Sequence, residues 1–174
     1  MAQTSGSDVE TFLSENLHQL SRLAMLLTLE VHEAEDLVQQ VALRVQQKWS
    51  LVAVADNPAA YVRRLMLNEF LGDRRRRKRE KRAHQELAVV SVSPDDVAGQ
   101  VERRHVVESM LRQLPARQRA AIALRYLEDR PDPEIASILD CREATVRSLV
   151  RRGLVTLRRE ASRNTKEKVS VRHE

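Results

Sequence analysis

A single cysteine, Cys141, rules out an intramolecular disulfide in this chain of 174 residues. Glycine is almost as scarce, with four residues, and aromatics make up only 3%. Sheets draw on aromatic and β-branched side chains and on glycine-bearing hairpin turns, so a sheet-based fold is not expected. No apolar run approaches the ~20 residues of a membrane-spanning helix. The polar start MAQTSGSDVE also lacks the apolar stretch of a signal peptide. The expectation is a cytoplasmic protein with no membrane span. There is no glycine-rich phosphate loop and no nucleophile with a positioned base. His18, His32, His84, His105 and His173 are scattered, and none joins Cys141 at metal-ligand spacing. An enzyme is therefore not expected, nor a cofactor or metal.

What is abundant is Ala, Leu, Arg, Glu and Gln, all strong helix formers. The fold class expected is all-α: two small helical domains joined by a flexible linker, the second a helix-turn-helix. Charge divides the chain the same way. Residues 1–60 carry an acidic excess, 61–82 a strong basic excess, 83–102 four acids and no Lys or Arg, and 103–174 a second basic excess. Basic blocks attract phosphate and release its counterions, whereas the acidic first block suits a protein partner. The boundaries expected are 1–82, a linker at 83–103, 104–162, and a disordered tail at 163–174.

Helical periodicity is legible through most of this. Ser7 and Glu10 have capping-box spacing before a first helix at about 8–29. A second, with Leu37, Val41 and Val45 on one face, runs to Trp49. "SLVAVADNP" breaks it, and Asn57-Pro58 is an N-cap followed by a proline at the first helical position. The third helix carries Tyr61, Val62, Leu65, Met66, Leu67 and Phe70, then the run RRRRKREKR, with Gly72 weakening it where the charges begin. Beyond AHQELAVVSVSPDDVAGQVE, a fourth helix stops at Pro115 and a fifth covers ARQRAAIALRYLE. Two more are expected at about 132–139 and 143–160.

The stretch from Pro133 to Arg152 has helix-turn-helix spacing. Ile135, Ala136 and Leu139 would face Val146 and Leu149 across a turn of Asp140, Cys141 and Arg142. Asp140 stands where glycine is usual and must visit the left-handed region. Arg142, Thr145, Arg147, Ser148, Arg151 and Arg152 are then the polar positions left to enter a major groove. Arginine pairs bidentately with guanine, and Thr or Ser serves either base edge. The bland alternative is an amphipathic helix with a solvated arginine face.

These residues carry a family resemblance. Leu114-Pro115, Gln118-Arg119, Leu124-Arg125-Tyr126, Glu134-Ile135-Ala136, Leu139 and Thr145-Val146 resemble the C-terminal promoter-binding domain of sigma factors. AEDLVQQVALRV resembles that family's polymerase-binding helix. NPAAYVRRLMLNEFLGDRRRR resembles the adjoining helix that reads and opens the promoter. Two such domains alone resemble the extracytoplasmic-function (ECF) group of the sigma-70 family, of actinobacterial type.

The resemblance implies a protein that binds core RNA polymerase, recognises −35 and −10 promoter DNA and opens the −10 segment. A possible further partner is an anti-sigma factor. The −35 contacts implied are Arg142, Thr145, Arg147, Ser148, Arg151 and Arg152. Those for −10 are Asn57, Arg63, Arg64, Asn68, Arg74, Arg75 and Arg77. For the polymerase they are Asp36, Leu37, Gln39, Gln40 and Arg44, although Leu37 is equally a core position beside Val41 and Val45. Asn57 is equally a plain N-cap. Gln40, Asp73 and the pair Pro131 and Pro133 depart from the family pattern. The alternative to a sigma factor is a stand-alone helix-turn-helix regulator.

Overall fold

The computed structural model describes residues 2–83 and 107–170, and the described residues are helical throughout, joined by short turns. In chain order the helices are α1 Ala2–Thr28, α2 Val31–Gln47, α3 Trp49–Ala53, α4 Pro58–Ala83, α5 at 107–112, α6 Ala116–Tyr126, α7 Asp132–Leu139 and α8 Glu143–Ser170. The expected linker lies largely outside the described residues.

Local chemistry explains most boundaries. Asn57 Oδ1 accepts the Ala60 N–H at 2.9 Å, so it caps α4 ahead of Pro58. Pro115 separates α5 from α6. α1 starts at Ala2, ahead of the expected capping box, and stops at Leu29, whose φ is 61°. A left-handed leucine is costly in a free chain. Here the residue is 2% exposed, and its N–H donates to Met25 O at 2.8 Å. The break expected at "SLVAVADNP" contains the short helix α3, because Val52 is fully buried and anchors it. α4 passes through Gly72 without interruption. α8 continues to Ser170, well past 160 and into the stretch expected to be disordered.

α1, α2 and α4 form a first bundle around Leu23, Leu27, Val41, Val45, Val62 and Met66, all at most 1% exposed. Burying each such side chain stabilises the fold by about 1.5–3 kcal/mol. Trp49, half-buried, packs its ring against Phe12, centroids 5.5 Å apart, at the edge of this core. A second bundle joins α6, α7 and α8 around Leu124, Ile135 and Val146. α6 and α8 approach closely at Gly153, where a Cβ would lie 2.5 Å from Ile122 Cδ1.

The two modules were expected to act apart. In the structure they pack against each other, α4 on α7 and α1 on α6, and their apolar cores are continuous. Leu29 inserts among Leu111, Leu114 and Ile122, and its carbonyl accepts a hydrogen bond from Arg112 at 2.6 Å. Arg63 and Glu128 form an ion pair at 2.9 Å with both side chains more than nine-tenths buried. The sequence reading saw no such seam because the hydrogen-bonded partners across it lie 65 and 83 positions apart.

Candidate nucleic-acid interface

The helix-turn-helix is built by a left-handed stop. Asp140, with φ 49° and ψ 62°, ends α7; its N–H reaches Ser137 O, and the Cys141 N–H reaches Ala136 O at 3.0 Å. That pair of bonds is the Schellman arrangement, normally made by glycine. Arg117 of α6 donates to Leu139 O at 2.8 Å and satisfies another terminal carbonyl. α8 then starts with Val146, Leu149 and Val150 turned inward. Arg142, Thr145, Arg147, Arg151 and Arg152 are exposed and Ser148 is half-buried, so all six expected −35 contacts lie at the surface of one helix start.

Two of those arginines are steered. The Arg147 guanidinium lies 3.5 Å from Glu143 and 3.8 Å from Asp132, which also pairs with Arg125. Arg152 donates from Nε to Ser148 O at 3.2 Å. Arg147 and Arg151 join Arg125 and Arg158 around a groove floored by Val150 and Leu154. Four cations on an apolar floor make a surface suited to a polyanion.

The first module presents a second cationic surface on α4. Arg64, Asn68, Arg75 and Arg77 are exposed and Arg74 is half-buried. Arg63 is the exception: it is 5% exposed and held in the seam by Glu128 and, at 3.3 Å, by Gln19. In this arrangement it cannot meet DNA, which corrects its assignment as an available contact. The neighbouring arginines are also engaged. Arg74 lies 3.8 Å from Glu33, Arg77 pairs with both Glu33 and Asp73, and Arg76 pairs with Asp73 at 2.6 Å. The Glu33 hydrogen bond is the main reason the Arg77 pKa is raised above its ordinary value.

At the seam, the Arg74 and Arg119 guanidiniums lie over the Phe70 ring at 5.5 and 5.6 Å from its centroid. Arg119 is buried, and its pKa is pushed down to about 10. Burial is the main cause, with the nearby Arg74 and Arg112 charges adding to it. Glu33 is the acid that acts against that shift.

Among the expected polymerase contacts, Asp36, Gln39, Gln40 and Arg44 are exposed on α2. Leu37 is 6% exposed and packs in the core with Val41 and Val45, so its assignment as a contact is corrected to a structural one. Arg44 bridges to Glu69 of α4 at 2.8 Å. Gln40 and Arg44 therefore border the same groove as Asn68 and Arg76. The sequence reading passed over the apolar side chains Leu43, Leu51 and Val54, which are 56%, 55% and 78% exposed. Leu43 sits two positions from the core Val41 and Val45, and that helical offset was the signal for it. No group of acidic, histidine or cysteine side chains able to hold a metal occurs among the described residues. No helix among them is long and apolar enough to cross a membrane.

Comparison with known proteins adds a family context. Residues 12–80 match the model for sigma-70 region 2, and residues 104–157 match that for sigma-70 region 4. The chain is 31% identical over 160 residues to the RNA polymerase sigma-E factor of Streptomyces avermitilis, covering 92% of this chain and 88% of that protein. It is 29% identical over 153 residues to the Streptomyces coelicolor sigma-E factor, covering 88% and 85%. It is 23% identical over 170 residues to the ECF RNA polymerase sigma factor SigW of Bacillus subtilis, covering 91% and 89%. Among solved structures it is similar to the sigma factor RpoE in complex with the anti-sigma factor NepR from Bartonella quintana. The TM-score is 0.76 at 26% identity, covering 89% of this chain and 97% of that one.

Proposed function

This chain belongs to the sigma-70 family of RNA polymerase sigma factors, in the ECF group, and from that premise we propose how its residues carry out promoter-specific initiation. Residues 1–82 hold core polymerase and the −10 element, 83–103 link, and 104–162 hold the −35 element. The observation that carries this reading is that two cationic helical faces, on α4 and α8, fall within the two family regions in the family's order. The protein itself catalyses nothing; the polymerase does the chemistry. It works in the cytoplasm, where polymerase and promoter are.

Core polymerase docks on the exposed face of α2 through Asp36, Gln39, Gln40 and Arg44, with Leu43 supplying apolar contact. The α8 start enters the −35 major groove. Arg142, Arg147, Arg151 and Arg152 serve guanine edges and phosphates, and Thr145 and Ser148 serve base edges. On α4, Asn68 takes a base edge, while Arg64, Arg74, Arg75 and Arg77 take phosphates. Asn57 lies in the loop that captures a flipped base.

Opening without ATP must be driven by binding. Flipping a base costs a few kcal/mol in stacking and pairing. Charge-assisted phosphate contacts on the freed strand offset that cost. The two promoter elements lie roughly two helical turns apart, each turn about 34–36 Å. A linker of some twenty residues spans at most about 65–70 Å. The polymerase surface therefore sets the separation, and the packed arrangement must open. An anti-sigma factor is a further partner, one that holds the packed form. Support for it comes from the likeness to RpoE with NepR, which extends over both modules.

The test is transcription in vitro with core polymerase and genomic DNA, with start sites mapped. New start sites that share −35 and −10 elements are expected. If the chain neither co-elutes with core polymerase nor changes its start sites, yet protects DNA alone, it is a stand-alone regulator instead.

A further inference from the structure

The α4 arginines offered to DNA already have an anion. Glu33 sits in the first turn of α2, where a helix N-terminus favours negative charge. One of its carboxylate oxygens pairs with Arg77 and the other lies 3.8 Å from Arg74. Those arginines are three positions apart on α4, so their side chains rise from the same face, one turn apart. A planar guanidinium engages a carboxylate and a phosphate through the same donor geometry. Glu33 thus occupies, within the chain, the place that a strand phosphate would take. Asp73 holds the far side of Arg77 at 2.7 Å and leaves Arg74 to Glu33. The site is partly open: Glu33 is 31% exposed, Arg74 40% and Arg77 47%. A pair so exposed is weak and exchanges readily.

We propose that Glu33 is an internal competitor of promoter phosphate, a specificity-determining residue that keeps Arg74 and Arg77 from gripping DNA indiscriminately. When those arginines meet phosphate they release a carboxylate of their own chain, not counterions alone. Binding at any single site is then weakened, and contact survives only where several phosphates and base edges engage together. This rests on the proposed phosphate-binding role of α4. Glu33 itself touches no base.

The experiment measures affinity of the full chain for a labelled duplex of shuffled sequence, by anisotropy across a salt titration. Glu33→Gln is compared with wild type and with Glu35→Gln. Glu35 lies on the same helix beside His32, and its replacement changes net charge equally. Glu33→Gln is expected to tighten binding about threefold to tenfold at low salt. It should also steepen the plot of log K against log salt by about one to two, since up to two further cations now release counterions. Glu35→Gln should do neither. With Arg74→Gln and Arg77→Gln both present, Glu33→Gln should have no effect, because neither arginine is left to free.

Equal effects of the two glutamate variants would reduce Glu33 to bulk charge and overturn the proposal. So would an unchanged slope in Glu33→Gln, or a gain that persists without the arginines. If removing both arginines leaves the salt slope of the promoter complex with core polymerase unchanged, the phosphate-contact reading of α4 fails first. If it flattens that slope and Glu33→Gln still leaves binding to the shuffled duplex unaltered, only the competitor role fails.

Discussion

Asn57 combines two roles in one side chain. Its Oδ1 caps α4, and its loop is the one proposed to capture a base. The two separate by substitution. Asn57→Ala removes the cap and should cost about 1 kcal/mol. Asn57→Asp keeps the cap, since aspartate caps as well, but puts a negative charge against DNA. Thermal melting should therefore show a loss for alanine and little change for aspartate. Permanganate reactivity of the −10 segment should drop in both if Asn57 meets a base. Reactivity unchanged in Asn57→Asp would leave the residue as a cap only. Asp140 poses a simpler case. At φ 49° it carries a left-handed penalty that glycine would not. Asp140→Gly should stabilise by about 1 kcal/mol, a melting-temperature rise of about 2–4 °C for a chain of this size. With only four glycines in the chain, the tight stops fall instead to Leu29, Asp129 and Asp140. Asp140 was legible because the helix-turn-helix spacing demands a left-handed residue there. Leu29 was not, because leucine signals helix or core, and what buries it is the distant set of Leu111, Leu114, Ile122 and Arg112.

For the elements, periodicity and punctuation were enough wherever a helix has one apolar face and a chemical stop. Asn57-Pro58, Pro115 and the Asp132 and Glu143 starts are of that kind. α3 escaped notice because five residues hold too few positions to show a period, and one buried valine defines it. The α6–α8 contact turns on a single missing methyl group. Gly153→Ala gains helix propensity of about 1 kcal/mol but overpacks against Ile122 at a typical cost of about 1–3 kcal/mol. A net loss of stability is expected. Ile122→Val removes the Cδ1 that clashes. The double variant should then be more stable than the sum of the single changes predicts, as measured by denaturant unfolding. Simple additivity would mean that Ile122 turns aside without strain.

Across the whole molecule, the seam governs what the protein can reach. Glu128→Gln leaves Arg63 buried beside an uncharged partner. Breaking a fully buried pair typically costs about 3–5 kcal/mol. A seam between modules has a cheaper escape, which is to open and let water reach Arg63. The expected result is separation of the modules with each bundle still folded. Energy transfer between labels at Cys141 and an introduced Ser50→Cys should fall, while helical circular dichroism stays constant. The swap of Arg63→Glu with Glu128→Arg should restore transfer. Core polymerase with promoter DNA should lower transfer in the labelled chain with Arg63 and Glu128 intact too, since the two promoter elements lie roughly two helical turns apart. If transfer in Glu128→Gln equals wild type, the ion pair does not hold the seam.

The amino-acid sequence by itself determined the long helices, the two cationic faces and the family, because these depend on spacing within one helix or on short motifs read in order. Which arginine is free and which is shut away was decided only by the tertiary structure. Arg63 and Arg64 are neighbours of identical chemistry, yet one is buried against Glu128 and the other faces solvent. Successive residues on a helix point about 100° apart. The side that meets the second module is selected by contacts arriving from 65 positions away, and no local pattern records them.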